Sequence, residues 1–387
     1  MTRRPTARGW GCGWKPRRGW CLVSDFYIYN TARERIGVLQ RDNSVQWLEH
    51  YQSPGEVKID AQATPANLAM LVDGNRIYNP DTDTVARISH VDITQTETEE
   101  VITARADITA ELLSDRVIMG TENITNAEAG MYSVYRKNQR GLPIAVGAAR
   151  GYTEQAVMEV TWNSVLDALK KMAEVSGLGF KVIFNPETGA ETFTVYKGIN
   201  RANDLTADYR GYFGTDVGNI EDVSIVSGTT DYKNVAVVAG AGEGAARTVR
   251  IVSLGNFTGE SRRELYVDAR DLQREYQVAT PTGEYDDKGN PIYSYSTATY
   301  TDAQYNAMLD ARGREKLAEY LQTFSITCDI IQNNIAYGED YTLGDRIPIK
   351  LPEYGIYASA RIASVTMIYE REGNKIVALL SEFALEG

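Results

Sequence analysis

Histidine and cysteine, the residues on which most metal sites and many nucleophilic sites draw, are almost missing from this chain. Its 387 residues hold two histidines, His50 and His90, and three cysteines. There is no H-E-x-x-H helix and no C-x-x-C pair, so the common zinc patterns are excluded, and two histidines are too few for a His-rich site. Cys12 and Cys21 fall within the first 22 residues. That leaves Cys328 in the alternating run FSITCDI, where a buried structural thiol is expected and a disulfide scaffold is ruled out. Long hydrophobic runs are missing too. The longest, LAMLV (68–72) and VAVVAGAG (235–242), fall far short of the roughly 18 to 20 residues that span a bilayer, so no transmembrane helix is predicted. No Walker pattern G-x-x-x-x-G-K-[ST] and no G-x-S-x-G elbow occurs.

What is present is ordinary globular material. Hydrophobic residues make up 43% and charged residues 24%, over a length that allows two to four domains, each with its own core. The exception is the start, MTRRPTARGWGCGWKPRRGWCLV. It carries six basic residues, three of the five tryptophans and no acid, and it lacks the apolar stretch and small-residue cleavage site of a secretion signal. Residues 1–22 are expected to be a non-native extension, with Val23 as a GTG start and Arg17-Arg18-Gly19 a ribosome-binding sequence read as protein. The other reading is a disordered basic tail. The whole chain has net charge −12, from 40 basic and 52 acidic residues. Without the six cations of the extension the balance is 34 against 52, or −18. So acidic a body repels phosphate, and specific nucleic-acid binding is not expected.

Most of the sequence reads as strands. DFYIYN (25–30), RIGVL (35–39), VQWLEHY (45–51) and EVKIDA (56–61) are aromatic and β-branched, separated by turn formers. An antiparallel run over RIYNPDTDTVARISHVDITQTETEEVITARA comes next, turning at Asn79-Pro80-Asp81 and around Thr96 to Glu99. FKVIFN and ETFTVYKG form a hairpin over Asn185 to Gly189. QVATPTGEYDDKGNPIYSYSTATYT (277–301) predicts an exposed hairpin turning at Asp287 to Asn290. DYTLGDRIPIKL, YASARIASVTMIYE and KIVALLSEFAL end the chain, the last two joined over Arg371 to Asn374. Three segments have helical period. DITAELLSDRVI (107–118) places Leu112 and Leu113 inward. TWNSVLDALKKMAEVSG (161–177) has Thr161 as cap, a stripe of Val165, Leu166, Leu169, Met172 and Ala173, and Gly177 as stop. TDAQYNAMLDARGREKLAEYL (301–321) opens with the capping box Thr301/Gln304, puts Tyr305, Leu309, Leu317, Tyr320 and Leu321 on one face, and has a weak point at Gly313. The fold class is α+β and predominantly antiparallel, with helical inserts, and the strand spacing suits a small barrel or sandwich rather than βαβ units. The regions expected are 23–222, with its helical insert at about 107–177, and 223–387, with the helix 301–321.

The one stretch that invites a cofactor is NVAVVAGAGEGAARTVRIV (234–252), where Gly240, Gly242 and Ala245 have the G-x-G-x-x-A spacing of a dinucleotide loop. That loop needs a helix to start on it, because free N–H groups at a helix N-terminus hold the phosphate. The residues after Gly244 are AARTVRIVSL, of strand composition. A glycine turn joining two strands is therefore favoured, and a helix starting between Gly242 and Ala246 would reopen the other reading. Asp81-Thr82-Asp83 lacks the remaining ligands of a calcium loop. Glu99-Glu100 and Asp286-Asp287 have the residue type of glycosidase carboxylates but read as solvated surface. Ser176-Gly177-Leu178-Gly179 marks a helix stop, and the glycosylation matches at Asn123 and Asn256 carry little without a secretory route. No catalytic, cofactor-binding or metal residue is assigned. The 24 tyrosines fit protein interfaces or barrel cores alike.

DYKNVAVVAGAGEGAARTV, RRELYVDARDL (262–272) and YTLGDRIPI (341–349) followed by RIASVTMIYEREGNKIV, with ADITAELLSDRVI and TWNSVLDALKKMAEVSGLGF before them, resemble the tail hub proteins of long-tailed, siphovirus-type bacteriophages. The resemblance covers about residues 23 to 387 and starts near Ser24-Asp25, in keeping with Val23 as the beginning. Its strongest markers are the glycine cluster, VDARDL and Leu343-Gly344-Asp345. It implies a non-enzymatic virion structural protein at the distal tail end: a homotrimer in which two barrel-like domains per chain build a pseudo-sixfold ring continuing the tail tube. The partners it implies are the distal tail protein or tail tube, the tape-measure protein, and a tail fibre or receptor-binding protein, with synthesis in the bacterial cytoplasm. The alternative is a tail-associated cell-wall or polysaccharide hydrolase, and a dinucleotide-binding enzyme stands third.

Overall fold

A computed structural model describes residues 25–40, 42–96, 100–201, 212–285, 291–332, 335–371 and 373–385. The extension 1–22, Val23, Glu99 and the turn residues Asp286 to Asn290 lie outside the described residues. The chain forms two compact units, one of residues 1–224 and 326–387, the other of residues 225–325. Where the spacing predicts one boundary at 222/223, the chain leaves the first unit at Ser224 and rejoins it at Ile326.

The first unit opens with strands β1 (Tyr27–Tyr29), β2 (Arg35–Val38), β3 (Asp42–His50) and β4 (Glu56–Gln62), then the short helix α1 (Pro65–Met70). β5 (Arg76–Asn79), β6 (Thr84–Gln95) and β7 (Glu100–Ile108) come after it. Next is an α/β excursion of β8 (Thr121–Asn126), α2 (Ala127–Asn138), β9 (Ile144–Val146), β10 (Gln155–Thr161), α3 (Val165–Ser176), β11 (Gly179–Asn185) and β12 (Ala190–Tyr196). β13 (Phe213–Gly214) and β14 (Ile220–Gly228) precede the second unit, which holds β15 (Val235–Ala239), β16 (Val249–Ser253), β17 (Glu264–Asp268), β18 (Glu275–Tyr285), β19 (Pro291–Thr299) and α4 (Asp302–Ala318). β20 (Thr323–Ile330), β21 (Arg346–Leu351), β22 (Ile356–Glu370) and β23 (Gly373–Leu385) complete the chain.

One sheet runs β14-β20-β23-β22-β3-β4-β7-β6-β5-β1-β2, with β21 and β13 branching from β22. Strand makes up 49% and helix 19% of the described residues, which fits the expected α+β, mainly antiparallel class. The sheet path has two free ends, so it forms no closed barrel among the described residues. Its middle is made by ends of the sequence far apart: β22 lies against β3 from Ser364↔His50 to Glu370↔Ser44. Period-2 burial explains this join. Val45, Trp47, Val365, Met367 and Tyr369 are all buried, and Phe26 meets the Tyr369 ring edge-on at 4.9 Å and the Trp47 ring at 6.1 Å.

The helices depart from expectation at their ends. The 107–118 segment is a 3-10 helix over Thr109–Asp115, with Leu113 buried. α3 buries its predicted stripe and stops at Gly177 in the left-handed region (φ 72°), but its N-cap is Ser164. Thr161 instead ends β10, where it pairs with Thr121, so it is not available as a cap. α4 starts on the Thr301/Gln304 box as expected and ends at Ala318, leaving Tyr320 and Leu321 beyond it. α2 is not among the predicted helices; it buries Ala127, Met131, Val134 and Tyr135 along one face. Asn126 caps it by accepting the Ala129 N–H at 2.8 Å.

In the second unit α4 lies on one face of the sheet β16-β15-β17, burying Tyr305, Leu309 and Leu317 against Ala236, Val238, Val252 and Val267. Gly313 is no weak point there. A Cβ at this position would sit 2.7 Å from Val252 and 2.8 Å from Val238, so the glycine lets helix and sheet approach. Gly→Ala in an exposed helix gains up to about 1 kcal/mol. Overpacking a core costs about 1–3 kcal/mol. Gly313→Ala is therefore expected to lower the second unit's melting temperature in a calorimetric scan, and a rise would refute the close-approach reading.

Candidate functional site

The residues that stand out in the sequence gather at two loop junctions, each built round a tyrosine hydroxyl. In the first unit this is Tyr51, buried just after β3. Its hydroxyl accepts the Gly198 N–H and donates to the Gly177 carbonyl, both at 3.1 Å, which ties the end of β3 to the stop of α3 and the exit of β12. Glycines make room for the ring: a Cβ at Gly179 or Gly344 would overlap it, and one at Gly198 would overlap the Gly344 carbonyl. Gly344 also has φ 90°, a region open to glycine and strained for other residues. Burial pushes the Tyr51 phenol up, with the Gly198 N–H and Arg361 opposing, so the hydroxyl stays protonated and able to donate.

Asp345 completes the junction. Fully buried, it accepts the Ile199 N–H at 2.7 Å, the Thr342 N–H at 2.9 Å and Arg201 Nε at 2.6 Å. Leu343-Gly344-Asp345 is thus a structural knot, and its carboxylate has every oxygen engaged. Arg361 lies over the Tyr51 ring at 5.0 Å and donates to Gly344 O and Glu382. Beside it opens a cavity of about 210 Å³, lined by His50, Tyr51, Lys170, Glu174, Arg361 and Glu382 among others. Burial pushes the His50 imidazole below its usual range, which leaves it neutral at pH 7. His90 lies elsewhere, exposed, against Asp92 at 2.9 Å. Among the described residues no group of three or more His, Cys, Asp or Glu has the arrangement to hold a metal ion.

The second junction holds GAGEG and VDARDL. β15 runs into Gly240, and β16 returns antiparallel from Ala239↔Val249 to Val235↔Ser253. Between them Gly242 (φ 103°) and Gly244 (φ 54°) make the turn, with one 3-10 turn over Gly244–Ala246 and no α-helix. Two N–H groups at the head of the loop are already taken: Gly240 donates to Thr248 O at 2.9 Å, and Ala241 donates to the Tyr305 hydroxyl at 2.7 Å. Tyr305 in turn donates to Leu272 O at 2.9 Å, at the end of VDARDL. A Cβ at Gly240 would lie 2.5 Å from that hydroxyl, so the first glycine of the cluster is there for Tyr305. Arg247 fills the loop, donating to Gly240 O and Ala239 O and pairing with Asp268 at 2.7 Å. Arg270 first, then Arg247, hold the Asp268 carboxyl below the usual range.

The other marked residues are structural as well. The Tyr369 hydroxyl donates to Asp81, and that of Tyr78 to Asp83 at 2.8 Å. Two buried carboxylates give no sequence signal. Glu128 of α2 accepts the N–H groups of Arg150, Gly151 and Tyr152 at 2.6–2.8 Å, pinning that loop. Glu191 of β12 pairs with Arg76 at 2.6 Å and Arg33 at 3.1 Å. Cys328 is buried on β20, its thiol pushed up to about 12 by desolvation first and Asp329 second. A raised thiol pKa favours the folded state until the unfolded thiol ionises near 9. This contribution is therefore full below pH 9 and declines between 9 and about 12. Native protein at pH 8 is expected to label with a thiol reagent at Cys328 only on unfolding, and prompt labelling of that residue in a mass-mapped digest would contradict its burial.

Solved phage tail proteins share this extended, mainly antiparallel fold. The tail protein from Neisseria meningitidis MC58 shares the fold with TM-score 0.56 at 12% identity, over 92% of this chain and 96% of that one. The 43 kDa tail protein of prophage MuSo2 from Shewanella oneidensis does so with TM-score 0.54 at 10% identity, over 92% and 98%. No curated protein sequence matches. The chain belongs to the family of Siphovirus ReqiPepy6 Gp37-like proteins, whose model matches residues 25–379. Membership of this family supports a structural role as a component of the virion tail. No helix among the described residues is long and apolar enough to cross a membrane.

Proposed function

We propose that the protein is the hub at the distal end of a long-tailed phage tail, a homotrimeric ring that closes or continues the tail tube and acts without catalysis. The observation that carries this reading is the tail-protein family match over residues 25–379. In the ring the chain meets the distal tail protein or tube, the tape-measure protein, and a fibre or receptor-binding protein. A net charge of −12 suits a wall past which DNA must slide without sticking. Asp345, Glu128 and Glu191 are bound up in loop and strand contacts, which favours a structural over a hydrolytic role.

Native mass spectrometry of the purified chain tests the assembly, with a trimer expected and a monomer at all concentrations counting against it. Incubation with peptidoglycan or capsular polysaccharide gels tests the hydrolase alternative. No clearing is expected, and clearing by pure protein would replace the hub reading.

A further inference from the structure

The second unit carries two apolar surfaces, and both are open in the isolated chain. The first is the face of the β16-β15-β17 sheet opposite α4, where Val249, Ile251 and Tyr266 stand 50%, 61% and 61% exposed. Register makes them neighbours: Val237 lies between Ile251 on β16 and Tyr266 on β17. The acids on this face are neutralised in place, Glu264 by Arg262 and Asp268 by Arg247 and Arg270. The second surface is on the β18–β19 hairpin. Alternation puts Tyr276, Val278 and Ile292 on one side of it, each 37–40% exposed, together with Thr280, Ser294 and Ser296; the acid in step with them, Glu284, lies beyond the register shift that follows Pro281. A two-stranded hairpin is marginal in water by itself, and an uncharged edge such as PIYSYSTAT invites pairing.

We propose that the β18–β19 arm of one copy lies on the open β16-β15-β17 face of the next copy, head to tail, so that a ring closes. The occupant is a second copy for two reasons. Chains of net charge −12 repel one another except where the meeting surfaces are neutral, and these two faces are neutral. The areas point the same way. An arm of 11 residues is about 36 Å long and two strands about 10 Å wide, so a junction buries about 700 Å² in total, counting both partners. That is below the roughly 1,200 Å² of a stable pairwise complex. A donor face and an acceptor face on every copy give two junctions per copy once the ring is closed, and heterologous contacts of this kind close into rings. The arm-to-sheet contact therefore holds a ring and not a dimer. This inference rests on the proposed ring assembly and names the contact that makes it.

The test uses the full chain with Cys12 and Cys21 replaced by serine, co-expressing one copy carrying Ile251→Cys with one carrying Val278→Cys. Under mild oxidation the mixed pair is expected to form interchain disulfides at least about tenfold more abundantly than either variant alone. Ile251→Glu is expected to raise the concentration needed for assembly by about tenfold or more, with the monomer's circular dichroism unchanged. A parent that assembles while the mixed pair stays uncrosslinked and Ile251→Glu assembles normally overturns this contact and leaves the ring reading standing. A parent that is only ever monomeric overturns both. Disulfides from Val278→Cys to a different tail protein would overturn the assignment of a second copy.

Discussion

Glu191→Ala is expected to destabilise the first unit by about 3–5 kcal/mol, the range for breaking a buried ion pair by removing one partner. Glu191 is fully buried on β12, and its carboxylate meets Arg76 of β5 and Arg33 of the turn after β1. Arg33 is itself held by a 2.6 Å bond to Pro143 O and has φ 66°, so three segments depend on one carboxylate. Removing it leaves two guanidinium groups, 8% and 18% exposed, without their anion. Glu191→Gln keeps an acceptor and is expected to lose less. Urea unfolding of the full chain followed by circular dichroism checks both. An unchanged midpoint for the alanine variant would mean that this ion cluster does not hold β12 in place.

Gly344→Ala is expected to have an effect of similar size for a different reason. At φ 90° the alanine pays backbone strain of about 1–3 kcal/mol. Its methyl group also runs into the Tyr51 ring, and overpacking adds about 1–3 kcal/mol. Because Tyr51 joins the ends of β3, α3 and β12, displacing its ring also breaks the bonds to Gly177 and Gly198. The variant is expected to express mainly as aggregate, or to unfold at a clearly lower urea concentration. Gly355→Ala serves as the control: its φ is also positive, at 65°, but nothing lies within 4 Å of its Cβ, so it isolates the backbone cost. Equal losses in the two variants would show that the contact with Tyr51 contributes nothing.

Much of this architecture is legible locally. Alternating apolar residues mark β3, β4, β11 and β12, the Thr301/Gln304 box marks the start of α4, and the strand composition after GAGEG argues for a hairpin. The reasons behind the glycines are not local. Gly240 answers to Tyr305, far along the chain, Gly313 to Val238 and Val252, and Gly344 to Tyr51. Nothing near these positions announces such contacts, so Gly313 reads as a weakness. The β3–β22 join brings together the two ends of the chain and leaves no periodic signal. A division into two sequential halves therefore looks natural, where the last strands in fact return to the first unit. α2 escapes because its glycine and aromatic residues mask its period, and its cap and buried Glu128 make sense only with the 150–152 loop in place. For the candidate site, Leu343-Gly344-Asp345 and VDARDL are conspicuous in the sequence without a visible reason. Their side chains brace loops, so residue types alone carry no chemistry to recognise.

Immunogold electron microscopy of particles from the phage or prophage that encodes the chain decides whether the protein sits at the distal end of the tail. Antibody against the second unit is expected to place gold at the tail end away from the head. Gold along the tube or at the head–tail junction, or particles that lack the protein altogether, would contradict it.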